Sequence, residues 1–353
     1  MTFPITVLMT VYNNEPFLKE AIQSILNQTF GNFEFLIIDD ASRDRSQEIV
    51  QSFTDRRIRF VANEKNLGQS TSLNLGLKMA KGYYIARMDA DDISLPKRLE
   101  TQYAFALSCK KPLGVLGTQI SYINEEGRSI HEPWMSSEEG DILWKLLYTS
   151  PLVHSSAFFD KEGALLLGGY DTQFSYVQDS LLWFQFALQK RLVMNLDGKP
   201  LVLARLYANS TTSRANERKN WERKYYTKFV LSKLFGWNLD DVFVESFHYF
   251  LNALPFKKTG PDHVRKLMQL TQECHKKLTR FYVIPNAYKN TLLRIGLFGK
   301  EIGFCNRLRL FREAIRSGGL KGKGGHFSLS SLRRGFRFFY LRGRENTLRN
   351  DLL

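Results

Sequence analysis

The sequence concentrates its chemistry at Asp89-Ala90-Asp91-Asp92, which closes the apolar run Tyr84-Ile85-Ala86-Arg87-Met88. Two carboxylates two residues apart at a strand end share one pocket if the backbone turns there. Packing them together is unfavourable unless a cation neutralises them. Mg²⁺ and Mn²⁺ favour oxygen ligands, and Mg²⁺ is commonly held by one or two carboxylates together with substrate phosphates. The implied arrangement is a metal that joins protein carboxylates to a diphosphate and stabilises it as it departs. D-x-D alone is a common acidic turn. Its place directly after an apolar strand gives it weight.

The elements that must position these groups read as alternating strands and helices. Ile5–Val11, Phe33–Ile38, Ile58–Val61 and Tyr83–Met88 are strand-like runs. Pro16–Gln28, a segment opened by Ser42 as a cap, Ser70–Ala80 and a stretch from Pro96 to about Leu107 have helical spacing between and after them. Such alternation predicts βαβ units on a parallel, doubly covered sheet. Polar residues follow three of the strands: Thr10, Tyr12 and Asn13; Asp39 and Asp40; and Asp89 to Asp92. Ligands of open α/β sheets bind beyond the carboxyl ends of the strands, so the three clusters fall on one edge. Further along, strands are expected near Leu113–Thr118, Gln119–Ile123 and His154–Phe159, with helices at Glu138–Leu147 and Asp179–Gln189.

At these residues the chain resembles the family 2 glycosyltransferases of GT-A fold. The likeness runs through Val7-Leu8-Met9-Thr10-Val11-Tyr12-Asn13, Ser24-Ile25-Leu26-Asn27-Gln28-Thr29-Phe30 and Phe35-Leu36-Ile37-Ile38-Asp39-Asp40-Ala41-Ser42. It continues in Asn66-Leu67-Gly68, Leu73-Asn74-Leu75-Gly76, Ile85 to Asp92, Pro96, Arg98-Leu99 and Gln102. Pro151 to Ser156, Gly168-Gly169-Tyr170-Asp171 and Gln178-Asp179 through Trp183 complete it, over about residues 3–213. The resemblance implies a mixed Rossmann-like sheet flanked by helices, and a donor site for a nucleoside-diphosphate sugar, with UDP the expected nucleotide. By the same resemblance Thr10, Val11, Tyr12, Asn13, Glu15, Asp40, Asn74, Arg87, Asp89, Ala90 and His154 bind the nucleotide sugar, with Tyr12 on the base and Asp40 at its edge. Asp91, Asp89 and His154 hold Mn²⁺ or Mg²⁺, and Asp179 is the catalytic base of an inverting transfer. One displacement needs one base and no enzyme nucleophile. Departures cluster near the base: Gln178 stands where Glu is frequent, Leu181 and Gln185 replace polar or charged residues of the same helix, and Ser150 replaces a frequent Asn. They keep open a second expectation, a catalytically weak glycosyltransferase-like scaffold that binds a membrane or a partner.

Charge divides the 353 residues. Residues 1–213 carry 21 Lys and Arg against 24 Asp and Glu; residues 214–353 carry 29 against 11, which accounts for the net charge of +15. The expected organisation is a catalytic domain at 1–213 and a basic, mostly helical region at 214–353. A basic region suits a polyanionic partner. Trp221–Leu234 interleaves Arg and Lys with aromatics, and Leu329, Leu332, Phe336 and Phe339 recur at helical spacing beside Arg333, Arg334 and Arg337, as on helices that lie in a headgroup interface. Gly318–Gly325 reads as a hinge without the P-loop pattern. No nucleic-acid module is present, so an anionic membrane is the expected partner and nucleic acid is not. Cys109, Cys274 and Cys305 are too scattered for a disulfide framework, and neither a signal peptide nor a span-length apolar run occurs. The resulting expectation is a cytoplasmic enzyme, peripheral at the inner face of the membrane, that transfers a hexosyl or N-acetylhexosaminyl group to a hydroxyl of a glycan or lipid-linked acceptor. The Ile85–Ile93 stretch resembles bacterial members that build cell-surface polysaccharide or lipooligosaccharide.

Overall fold

In the computed structural model, which describes residues 3–208, 210, 217–237, 239–251, 263–278 and 291, the four early apolar runs become neighbouring parallel strands. They are β1 (Phe3–Val11), β2 (Phe33–Asp39), β3 (Ile58–Ala62) and β4 (Gly82–Asp89). All of β2 is buried, as expected of a parallel strand covered on both faces. Between these strands run α1 (Glu15–Leu26), α2 (Ser46–Gln51) and α3 (Gln69–Met79). The apolar stripe Leu18, Ala21, Ile22 and Ile25 of α1 packs into the main core beside Phe33, Phe35 and Ile37.

After β4 come the two-residue β5 (Ile93–Ser94), α4 (Arg98–Ser108), β6 (Leu113–Gly117), β7 (Ile120–Ile123), β8 (Ser129–His131) and α5 (Glu139–Lys145). A single 3-10 turn, His154–Ser156, leads into β9 (Phe158–Asp160), followed by α6 (Lys161–Leu166), α7 (Gln178–Leu188), β10 (Leu192–Asn195) and β11 (Val202–Arg205). The large sheet has seven strands in the order β10-β6-β9-β4-β1-β2-β3, and β9 alone runs antiparallel to its neighbours β4 and β6. This is the mixed GT-A sheet that the resemblance implied. A second sheet, β5-β11-β7-β8, delivers the end of β11 to the acidic end of β4.

Behind the carboxyl edge lies a buried polar frame. Gln28 Nε2 donates to the carbonyls of Ser94 and Leu95 at 3.2 and 2.9 Å, and Leu99 N–H donates to Gln28 Oε1 at 3.0 Å. Arg98 Nη2 donates to the Arg87 carbonyl at 2.7 Å, while Gln102 Nε2 donates to those of Leu116 and Ser156. These motif residues fix the backbone on either side of the acidic turn.

The chain divides into two compact units, Met1–Asn238 and Leu239–Leu353. The first therefore extends past the expected boundary at 213 and takes in α8 (Glu217–Phe235). The cause is Glu222, fully buried, whose carboxylate accepts from the N–H groups of Ser175 and Tyr176 at 2.7–3.1 Å. In the second unit α9 (Asp241–Leu251) and α10 (His263–Leu278) pack together, with Val244, Phe247, Phe250, Leu267 and Cys274 buried. The expected glycine hinge, the helix around Leu329–Phe339 and Cys305 lie outside the described residues. No described helix is long and apolar enough to cross a membrane.

Candidate active site

Register sets the edge on which the site is built. On β1, Thr10 stands opposite Asp89 of β4, and Val11 opposite Asp39 of β2. Tyr12 follows with 48% of its surface exposed, a ring at the rim of the edge. Thr10 is buried and its Oγ1 has no hydrogen-bond partner among the described residues; Val11 is buried and its carbonyl accepts from Asp40 N–H at 2.8 Å. Asn13, at φ +50°, turns the chain toward α1. Its N–H donates to Ser42 Oγ and its Oδ1 accepts from Arg43 N–H, while Glu15 accepts from Arg45 N–H. Asn13 and Glu15 thus lace two loops together.

Asp40 differs from its expected part. Both of its oxygens are committed to protein donors: Oδ1 to Asn63 Nδ2, Leu67 N–H and Ser72 Oγ, and Oδ2 to Gly68 N–H, all at 2.8–2.9 Å. Gly68 makes that approach at φ +86°, a conformation glycine adopts freely. Asp39 keeps a buried Oδ1 without a described partner, its Oδ2 accepting from Ser42 N–H and Gln47 Nε2. Asn74 is likewise spent on the protein, since its amide both donates to the Tyr170 carbonyl and accepts from Tyr170 N–H, at 2.7 and 2.8 Å. Gly169, at φ +74°, leaves room for this clamp, because a Cβ there would run into Asn74 Oδ1.

Beside this edge opens a cleft of about 280 Å³ lined by Asp89, Asp91, Asp92, His154 and Asp179, with Lys219 and Arg223 of α8 also in its wall. The structure therefore brings the acidic turn, the histidine and the expected base to one place, while Asp40 and Asn74 stand outside the lining. Arg87 is fully buried and forms an ion pair with Asp89, so it balances that carboxylate from below rather than facing the cleft; Ala90 is also buried. Asp91 titrates high, at about 6, because burial and the charge of Asp89 oppose its ionisation. Asp92 is also pushed up by burial and by Asp91, and is held by the Ser155 hydroxyl and by Arg205 N–H at 2.7 Å.

His154 Nε2 lies 3.0 Å from the Tyr170 hydroxyl, and its ring sits edge-on to Trp183 at 6.2 Å. Burial and the charge of Arg87 keep it neutral. Asp179 lies in the first turn of α7 and is 9% exposed. Ser180 N–H donates to its Oδ1 at 2.6 Å and Ser150 Oγ to its Oδ2 at 3.2 Å. Burial nonetheless raises its affinity for a proton, the direction a general base near neutral pH requires. The departure at Ser150 thus keeps a donor on the base.

Several residues that sequence reasoning passed over shape the cleft. Arg205, at the end of β11, donates to the backbone carbonyls of Asp91, Asn124 and Glu125 and pairs with Glu20, with its guanidinium 4.6 Å from the Phe17 ring. Tyr207 donates its hydroxyl to Asp91 Oδ2 at 3.0 Å and packs on Phe17. Glu222 ties α8 to the turn before Asp179. Position at a strand end was the only signal in the sequence for Arg205, and Tyr207 carried none.

The donor set suits a divalent cation. Two oxygen-bearing side chains, Asp89 and Asp91, border one cleft, and the raised proton affinity of Asp91 marks negative charge that the protein leaves partly uncompensated. No group of three ligating His, Cys, Asp or Glu side chains is assembled among the described residues. Such a site fits a cation that shares its coordination with substrate phosphates and water.

Comparison with known proteins agrees with this geometry. Residues 6–164 match the family described as Glycosyl transferase family 2. That match spans a little under half of this chain. An uncharacterized glycosyltransferase of Methanocaldococcus jannaschii is 27% identical over 277 residues, 75% of this chain and 92% of that protein. A Bacillus subtilis protein named as glycosyltransferase EpsE is 34% identical over 187 residues, 52% of this chain and 66% of the relative. Among solved structures, S. aureus TarS 1–349 in complex with UDP-GlcNAc shares the fold, with a TM-score of 0.57 at 17% identity over 89% of this chain and 90% of that one.

Proposed function

We propose that this chain is an inverting, metal-dependent family 2 glycosyltransferase that moves a sugar from a UDP-sugar to a hydroxyl of a glycan or lipid-linked acceptor in cell-surface polysaccharide synthesis. The observation that carries this reading is the shared lining of one cleft by Asp89, Asp91 and Asp179. Tyr12 and Thr10, one strand over at the same edge, take the nucleotide. Mn²⁺ or Mg²⁺ held by Asp89 and Asp91 would neutralise charge on the leaving diphosphate. Asp179 accepts the proton of the acceptor hydroxyl as that oxygen attacks from the face opposite the leaving group. Ser150 and Ser180 hold the carboxylate in position. The fold shared with TarS, which is bound to UDP-GlcNAc in its crystal, supports a UDP-sugar donor. A peripheral place at the inner face of a membrane fits the basic excess beyond residue 213.

The test is release of UDP from a panel of UDP-sugars with Mn²⁺, in wild type and Asp91→Ala. Donor-dependent UDP release that the substitution abolishes is expected. Absence of release with every donor and acceptor would leave the scaffold reading, which the buried Leu181 in the helix of the base favours.

A further inference from the structure

Lys219 and Arg223 sit one turn apart on α8 and both line the cleft that holds Asp179. Like charges at this spacing repel on a helix. Burial and Arg223 both make protonation of Lys219 harder. The Lys219 ammonium lies 5.9 Å from the Tyr176 ring centroid, and Tyr176 lines the same cleft. The helix is not free to carry the pair elsewhere, because buried Glu222, between the two cations in sequence, is bonded to Ser175 and Tyr176 N–H. The lining of the cleft therefore combines the carboxylates of Asp89, Asp91, Asp92 and Asp179 with two basic side chains contributed by α8.

Lys219 and Arg223 line the same cleft as Asp179, the residue that would receive the acceptor's proton. We propose that Lys219 and Arg223 form a subsite for a phosphate group carried by the acceptor, beside the hydroxyl that Asp179 deprotonates. Phosphate matches both partners: guanidinium binds it through paired N–H donors and ammonium as a point charge. The inference rests on the glycosyltransfer reading of the cleft and adds the acceptor's chemical class to it.

The test uses the full chain, first titrated with UDP in MgCl₂ and then, saturated with UDP, titrated with glycerol 3-phosphate and with glycerol, followed by ligand-observed NMR. Glycerol 3-phosphate should bind and glycerol should not. Lys219→Gln with Arg223→Gln should weaken glycerol 3-phosphate at least tenfold and leave the UDP affinity within twofold. The charge-keeping pair Lys219→Arg with Arg223→Lys, and Lys224→Gln outside the cleft lining, should keep binding, which separates loss of charge from loss of fold. Two results would overturn the subsite: no binding of glycerol 3-phosphate by the UDP-saturated wild type, which would leave the cations to the donor, or undiminished binding in the double Gln variant. A wild-type chain that binds no UDP would instead remove the underlying glycosyltransfer reading.

Discussion

Asp179 carries two opposed demands, and each yields a measurement. As the proposed base it must be ionised to act, so Asp179→Asn should lower sugar transfer by about 10²–10⁴-fold while UDP binding is kept. As a buried carboxylate whose folded-state pKa is raised, it favours the fold at acid pH, and that contribution is lost as pH rises through the raised value. Above that point the folded chain bears the strain of an ionised, desolvated group. Asp179→Asn removes the strain, so its melting temperature at pH 7 should equal or exceed that of wild type. The advantage should shrink as the buffer is acidified toward pH 4; a variant less stable at pH 7 than at pH 4, relative to wild type, would contradict the sign. Asp89 and Asp91 were legible in the sequence because acidic clusters follow several strands of one sheet edge, whereas Asp179 was named only through the family resemblance. Asp40 and Asn74 were legible as motif but not as contacts. The same side chains that suit a nucleotide also satisfy backbone N–H and carbonyl groups, and spacing cannot say which partner arrives.

At the scale of elements, the strands of the large sheet were readable because burial on both faces writes them as continuous apolar runs. Shorter pieces were not. The expected strand at His154–Phe159 is a 3-10 turn followed by the three-residue β9, since Ser155 turns its hydroxyl to Asp92 and Ser156 N–H bonds back to the Val153 carbonyl. The helix expected to open at Ser42 begins at Ser46, because Ser42 Oγ accepts from Asn13 N–H and caps nothing. The link between α8 and the turn before α7 was invisible for the same reason: a glutamate amid Lys and Arg reads as a solvated helix residue. Glu222→Ala should therefore cost more than a surface change. Leaving two backbone donors and the Arg218 pair without their acceptor should destabilise the chain by about 1–3 kcal/mol in urea denaturation. Transfer should fall with it while UDP affinity holds, because the turn it secures precedes the base and not the donor edge.

For the whole molecule, the uneven balance of charge yields a prediction about membrane binding. The full chain should float with vesicles containing anionic lipid and not with neutral ones, and 0.5 M NaCl should release it, since attraction between exposed charges is screened over about 3–10 Å in that range. Flotation with neutral vesicles at equal yield would point to apolar insertion instead. The first unit's extension to Asn238 has a consequence for how the molecule comes into being. Synthesis proceeds from the N-terminus, so the acidic turn at residues 89–92 emerges long before the helix whose Glu222 secures the turn beside Asp179. On the proposed reading, a chain that ends before α8 should transfer no sugar, because the turn beside Asp179 then lacks the Glu222 carboxylate that holds it.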